Sequence, residues 1–235
     1  MRAGFPVCDT VGGLNGAFAI MAALYHRERT GEGQFIDIAM LDSIMPLMGW
    51  VAANLLIAEQ EPVPMGNDNF TAAPSGVFIT KDGHINIAAN KQEQWESVCD
   101  VLGLPELKTD ERFEKRDIRK QNRKELTPLL EAKLTERGTQ EWVELLNANG
   151  VPSGAILSLG EALRQPQIRH RETLKDVPLE GVGTIPLFTL TAKFDKTPGD
   201  ITAPPPRLSA HTAEVLAGIG ITNEELATLK TKQVI

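Results

Sequence analysis

Cysteine is scarce: the chain has 2, Cys8 and Cys99, in 235 residues. They lie far apart and match no metal or redox spacing, which excludes a disulfide scaffold and reads as two small apolar residues in a reducing compartment. Charge of one sign is never concentrated. The 24 basic and 31 acidic residues give a net charge of −7 with no block of five like charges, so nothing tracks a phosphate backbone and nucleic acid is not an expected partner. Long hydrophobic runs are missing as well. The longest nearly apolar stretch, 44–57, is interrupted by Pro46, Gly49 and Asn54 and falls short of the roughly 20 residues a membrane span needs, so it reads as a buried helix with no membrane partner. The apolar stretch 17–24 follows Asp9 and precedes Tyr25-His26-Arg27-Glu28-Arg29 without a small-residue cleavage site. The expected location is the cytoplasm.

Two further absences bear on chemistry. His26, His84, His170 and His211 stand alone, each without a second ligand at workable spacing, so no metal site is expected. Gly12-Gly13 followed by Gly16 is not a dinucleotide fingerprint, and no strand with an acidic partner follows it.

What is present, 42% hydrophobic and 23% charged residues, is ordinary for a globular protein of one large or two small domains. Apolar residues at helical spacing predict a helix over 11–29, ended by Gly31. Residues 34–39 alternate as a short strand does, and a second helix is expected over 40–58. Three prolines, Gly66 and Asn67-Asp68-Asn69 mark 59–74 as a linker. Two alternating runs flank Lys81-Asp82-Gly83, a hairpin signal over 76–88. Helices are expected over 92–102, 119–136 and 139–149, the last capped by Thr139 and ended by Gly150, with a charge-rich exposed loop over 108–119. A strand over 151–157, a short helix from Leu159 stopped by Pro166, an extended arm at 203–206, and helices over 212–218 and 223–229 complete the chain.

Asp9 precedes two glycines at a helix entrance, where backbone N–H groups and the helix dipole favour negative charge. The residues alone leave two readings open, an N-cap or turn aspartate and a functional carboxylate.

The run Val7-Cys8-Asp9-Thr10-Val11-Gly12-Gly13, with Arg29-Thr30-Gly31-Glu32-Gly33-Gln34 and Ile36-Asp37 after it, resembles the middle of the family III CoA-transferases, the group that contains formyl-CoA and carnitine CoA-transferases and the α-methylacyl-CoA racemases. The resemblance continues through Ala73-Pro74, Gly76-Val77-Phe78, Thr80-Lys81-Asp82-Gly83, Gln94-Trp95, Gly150-Val151-Pro152, Pro204-Pro205-Pro206 and His211-Thr212. It covers the whole chain and the second part of the family's usual length.

The resemblance implies an α/β fold: the remnant of a Rossmann-like large domain over 1–60, a linker over 61–74, a small α+β domain over 75–170 and a return to the large domain over 171–235, in an interlocked dimer. It implies Asp9 as covalent nucleophile, with Gly12 and Gly13 binding substrate either as oxyanion donors or by leaving room for it. The implied activity is transfer of coenzyme A between an acyl-CoA and a carboxylic acid through an aspartyl-CoA intermediate. No cofactor is implied, since coenzyme A enters as a thioester substrate. Most of the family's CoA pocket lies upstream of the matched region, so the expected partner is a second copy of the chain or a polypeptide carrying the amino-terminal half. The stretch 67–72 stands where formyl-CoA transferases have a glycine-rich loop, which points away from formate and oxalate. Lys91 stands where a racemase would have a glutamate, which disfavours the racemase or CoA-ester isomerase alternative. An inactive truncated fragment is the third reading. The apolar faces at 11–29 and 40–58 predict a chain that is oligomeric or aggregation-prone alone.

Overall fold

A computed structural model describes residues 3–235. Helix α1 spans Val7–Thr30 and ends where expected, on Gly31 at φ 79, whose N–H donates to the Arg27 carbonyl at 2.8 Å. It begins four residues earlier than its apolar pattern predicts, so Gly12 and Gly13 lie inside it rather than at its entrance. Interior glycine costs about 1 kcal/mol of helix propensity relative to alanine. At Gly12 close packing compensates, because a Cβ there would sit 3.2 Å from Cγ of Met40, the first residue of α2 (Met40–Ile44).

The alternating residues 34–39 form no strand. They are extended, Phe35 is 93% exposed, and no strand among the described residues pairs with them, so the alternation has no ladder to join. The single helix expected over 40–58 is also broken. A 3₁₀ turn, Met45–Met48, carries Pro46, Gly49 follows at φ 50, and α3 (Trp50–Ala58) leaves at 82° to what precedes it. Proline cannot donate to the preceding turn and glycine takes the left-handed angle without strain, so the two residues together redirect the chain. It is α1, rather than this folded run, that is long and apolar enough by length and composition to cross a membrane, with mean hydropathy 1.4.

Strands β1 (Ser75–Ile79) and β2 (His84–Ala88) form the expected hairpin, with Phe78 opposite Ile85 and Val77 opposite Asn86. Strand β3 (Ser153–Ala155) adds antiparallel to β2 and is shorter than the 151–157 expected. Phe78, Ile85 and Ile87 point to one face, while Ser75, Asn86 and Ala88 belong to the other. The first face is covered by α4 (Gln92–Leu102), α6 (Arg123–Leu134) and α7 (Thr139–Ala148), which bury Trp95, Val98, Leu126, Leu130, Leu134, Trp142 and Leu146. Each such large side chain contributes about 1.5–3 kcal/mol on burial.

The helix expected over 119–136 starts earlier, as α5 (Arg116–Gln121), and breaks at Asn122 before α6. Thr139 is not the cap of α7: Gly138 holds the cap position, and Asp82 in the hairpin turn accepts from the Thr139 N–H at 2.7 Å and its hydroxyl at 2.8 Å. The turn thereby supplies the capping oxygen from 57 residues away.

Helix α8 (Leu159–Leu163) is capped reciprocally by Ser158 and Glu161. Pro166, expected to stop a helix, instead opens α9 (Pro166–His170), since proline at the first helical position gives up an N–H that has no partner there anyway. Strands β4 (Leu174–Leu179) and β5 (Gly183–Phe188) form a second antiparallel sheet, and α10 (Thr212–Gly218) and α11 (Asn223–Thr231) close the chain. The architecture is mixed α/β, and both sheets among the described residues are antiparallel.

Burial is uneven. Apart from Val177, the buried hydrophobic core lies within 72–151, whereas in 3–60 only Gly12 and Ser43 are buried. Phe18 is 77% exposed and Met21 65%. The accessible surface is 17206 Å², against about 10,400 Å² for a compact monomer of this mass.

Candidate active site

Asp9 is the third residue of α1, in its first turn, and is exposed. It is not the N-cap. Pro6 holds that position, and Asp9 makes no hydrogen bond or ion pair among the described residues, so the capping reading gives no account of it. Local bonding at this end is made by Thr10, whose N–H and hydroxyl both donate to the Pro6 carbonyl at 3.0 and 2.9 Å. The Asp9 carboxylate therefore stands at the positive end of a 24-residue helix dipole with its oxygens uncommitted.

Gly12 and Gly13 are brought close to Asp9 on the same helix, one turn on, and they differ from each other. Gly12 is buried against Met40, and Gly13, four residues from Asp9 on the same face, has open space where a Cβ would be. Both lie in the helix interior, where backbone N–H groups are committed to carbonyls four residues back. Of the two roles expected for them, oxyanion donation is thus withdrawn, and leaving bare backbone beside the carboxylate is what the geometry of Gly13 offers. Chemically the arrangement is an accessible oxygen nucleophile with little steric cover.

The largest cavity lies elsewhere, about 730 Å³ between α3, residues 60–70 and the outer face of the first sheet, with no residue of α1 in its wall. Trp50 of α3 and Phe70 stack across one side, ring centroids 5.6 Å apart. Asn67 closes on the sheet so tightly that a Cβ on Gly76, at φ 154, would meet the Asn67 carbonyl oxygen at 2.8 Å. Only glycine fits there.

Three arginines hold the chain that leads from this wall into β1. Arg116, Arg119 and Arg123 donate to the carbonyls of Thr71, Ala73 and Ala72 at 3.3, 2.7 and 3.3 Å. Arg119 is 1% exposed; it also donates to the Phe113 and Glu114 carbonyls and the Gln92 side chain, and its guanidinium lies 4.7 Å from the Trp95 ring centroid. Burial without a carboxylate partner pushes its pKa down to about 10. The stretch 108–119, expected to be an exposed loop, thus contains two buried residues, Phe113 and Arg119. The sequence carried one signal for this clamp, arginines spaced by three and four, which in a charge-rich run resembles a solvated helix face.

The four histidines are exposed and lie on separate segments. Lys91 precedes α4, and its N–H donates to the Gln94 side chain at 3.0 Å.

Residues 1–212 match CoA-transferase family III. Over 216 residues, 92% of the chain, it is 36% identical to succinyl-CoA:glutarate CoA-transferase of Mus musculus, of which the match covers 50%. It is 31% identical over 217 residues, again 92% of the chain, to succinate--glutarate CoA-transferase of Agrobacterium fabrum, covering 54% of that protein. Among solved structures, a CAIB/BAIF family protein from Brucella suis superposes with a TM-score of 0.79 at 30% identity, covering 93% of this chain and 57% of the other. The chain spans about half the length of the curated relatives it matches. With its sequence matched from residue 1 to 212 and its fold shared with that of a solved CAIB/BAIF protein, the chain belongs to CoA-transferase family III.

Proposed function

We propose that this chain carries the nucleophile of a CoA-transferase, moving coenzyme A from an acyl-CoA to a carboxylic acid. One observation supports this most: Asp9, in the first turn of α1, is exposed and unpartnered beside the open backbone of Gly13. An Asp9 oxygen attacks the thioester carbonyl and expels CoA thiolate, forming a mixed anhydride. The thiolate attacks the aspartyl carbonyl of that anhydride, releasing the donor's carboxylate and leaving an aspartyl-CoA thioester. The acceptor carboxylate repeats the two steps in reverse and regenerates Asp9, with no net proton change. The relatives' names, both CoA-transferases, support the reaction class, and the acids they name remain theirs.

The transferring unit is larger than this chain's own core. In this reading α1 to α3 belong to a Rossmann-like large domain completed by further polypeptide, and the apolar side chains of α1 are covered by protein rather than lipid. A second copy of the chain, interlocked with the first, or a polypeptide carrying the amino-terminal half supplies that cover. The surface excess of roughly 6,800 Å² over a compact monomer is of the size obligate interfaces bury.

The test is Asp9→Asn in the complete assembly. The substitution keeps size and removes the attacking anion, so CoA transfer should fall by at least about 10³-fold, while the melting temperature moves little because Asp9 holds no partner. Wild-type transfer by a folded Asp9→Asn protein would overturn the assignment.

A further inference from the structure

The outer face of the first sheet builds a second site that the transfer chemistry at Asp9 does not use. Strand alternation turns Ser75, Asn86 and Ala88 away from the core and into the cavity of about 730 Å³. Opposite them, Asn54 of α3 and Asn67 and Asn69 of the clamped loop add side-chain amides, and Trp50 and Phe70 supply an aromatic wall. No Lys, Arg or His occurs among its described lining residues, while Glu61 and Asp68 do. Two cations approach without lining it: Arg123 lies 3.8 Å from Asp68, and Lys120 lies 5.5 Å from the Phe70 ring centroid. Asp68 is thereby paired and Glu61 is not.

We propose that this cavity binds an uncharged, hydrogen-bonding chain, an acyl or acid substrate portion with amide or hydroxyl groups on an apolar skeleton, and rejects a second carboxylate. Side-chain amides both donate and accept, so several of them match neutral polar groups in either orientation. A carboxylate entering the same space meets no cation in the wall and the unpaired charge of Glu61, an opposition worth more than a tenfold loss of affinity at partly buried range. The aromatic wall takes the apolar skeleton. The ligand is called a substrate on the strength of the transfer reading; occupancy of the cavity does not depend on it.

Binding is read from Trp50, which lines the cavity, whereas Trp95 and Trp142 are buried in the core. The purified protein, in the assembly in which it exists, is titrated with glutaramide and with glutarate, an isosteric neutral and dianionic pair, while tryptophan emission is followed. Saturable change with glutaramide at a concentration about tenfold or more below that needed for glutarate supports the proposal. Trp50→Phe should abolish the change, Asn86→Leu should weaken glutaramide, and Glu61→Gln should narrow the gap between the probes. Equal or tighter binding of glutarate overturns the charge discrimination, and no saturable change with either probe overturns the site. Asp9→Asn should leave both titrations unaltered, so failure here leaves the transfer reading standing, and failure of transfer leaves the cavity standing.

Discussion

At the scale of single residues, the functional carboxylate and the two thiols illustrate how burial sorts chemistry. Asp9 stays exposed, and so does Cys8, one position before it. Cys99 is 0% exposed in the core, and burial pushes its thiol up to about 12. The thiolate is the reactive form, so a disulfide reagent at pH 8 should modify one thiol, Cys8, in the folded protein and both after denaturation. Two rapid modifications in the native state would contradict the packing around Cys99. The same shift makes a pH statement. With a folded value above the ordinary thiol value of about 8.5, Cys99 contributes stability that is fully present below that pH and is lost as pH rises toward 12.

The helix and strand scale shows what local pattern encodes. The hairpin β1–β2 and helix α4 were legible because their signals are local: Asp-Gly in the turn, alternation at Phe78, Ile85 and Ile87, and apolar spacing through Trp95, Val98 and Leu102. The residues 34–39 misled because alternation describes a strand that needs a partner, and the described chain offers none. Pro46 and Gly49 were visible as punctuation in 40–58, yet their combined turn of 82° depends on φ at Gly49, which sequence spacing does not state. At the site, Asp9 was legible only through its resemblance, since its residues alone suited a cap that Pro6 occupies instead. The arginine clamp was illegible, because what buries Arg119 is the Ala73 carbonyl 46 positions away. Its effect is measurable at this scale. Arg119→Leu strands the Ala73 and Phe113 carbonyls in a dry interior at about 1–3 kcal/mol each, so chemical denaturation should show a loss of at least about 2 kcal/mol, with hydrogen exchange at 71–74 accelerated. A variant as stable as the parent, with unchanged exchange there, would show that the clamp holds nothing.

The whole molecule is best understood from its surface. A core confined to 72–151 folds the small α+β unit, while α1 to α3 carry Leu14, Phe18, Met21 and Tyr25 largely to the outside. Hydrophobic area of that extent is rarely left in water by a monomer, and the functional carboxylate sits on the same helix as that face. Completing the surface and completing the active site are therefore one event: whatever packs on α1 also encloses Asp9, excluding water from the anhydride and supplying the oxyanion donors that Gly12 and Gly13 do not. The most direct measurement is mass spectrometry of the complete assembly after incubation with an acyl-CoA donor and hydroxylamine, followed by peptide mapping. The account predicts a hydroxamate on the peptide bearing Asp9, lost in Asp9→Asn. An assembly that transfers coenzyme A with the hydroxamate on another residue, or with none, would contradict it.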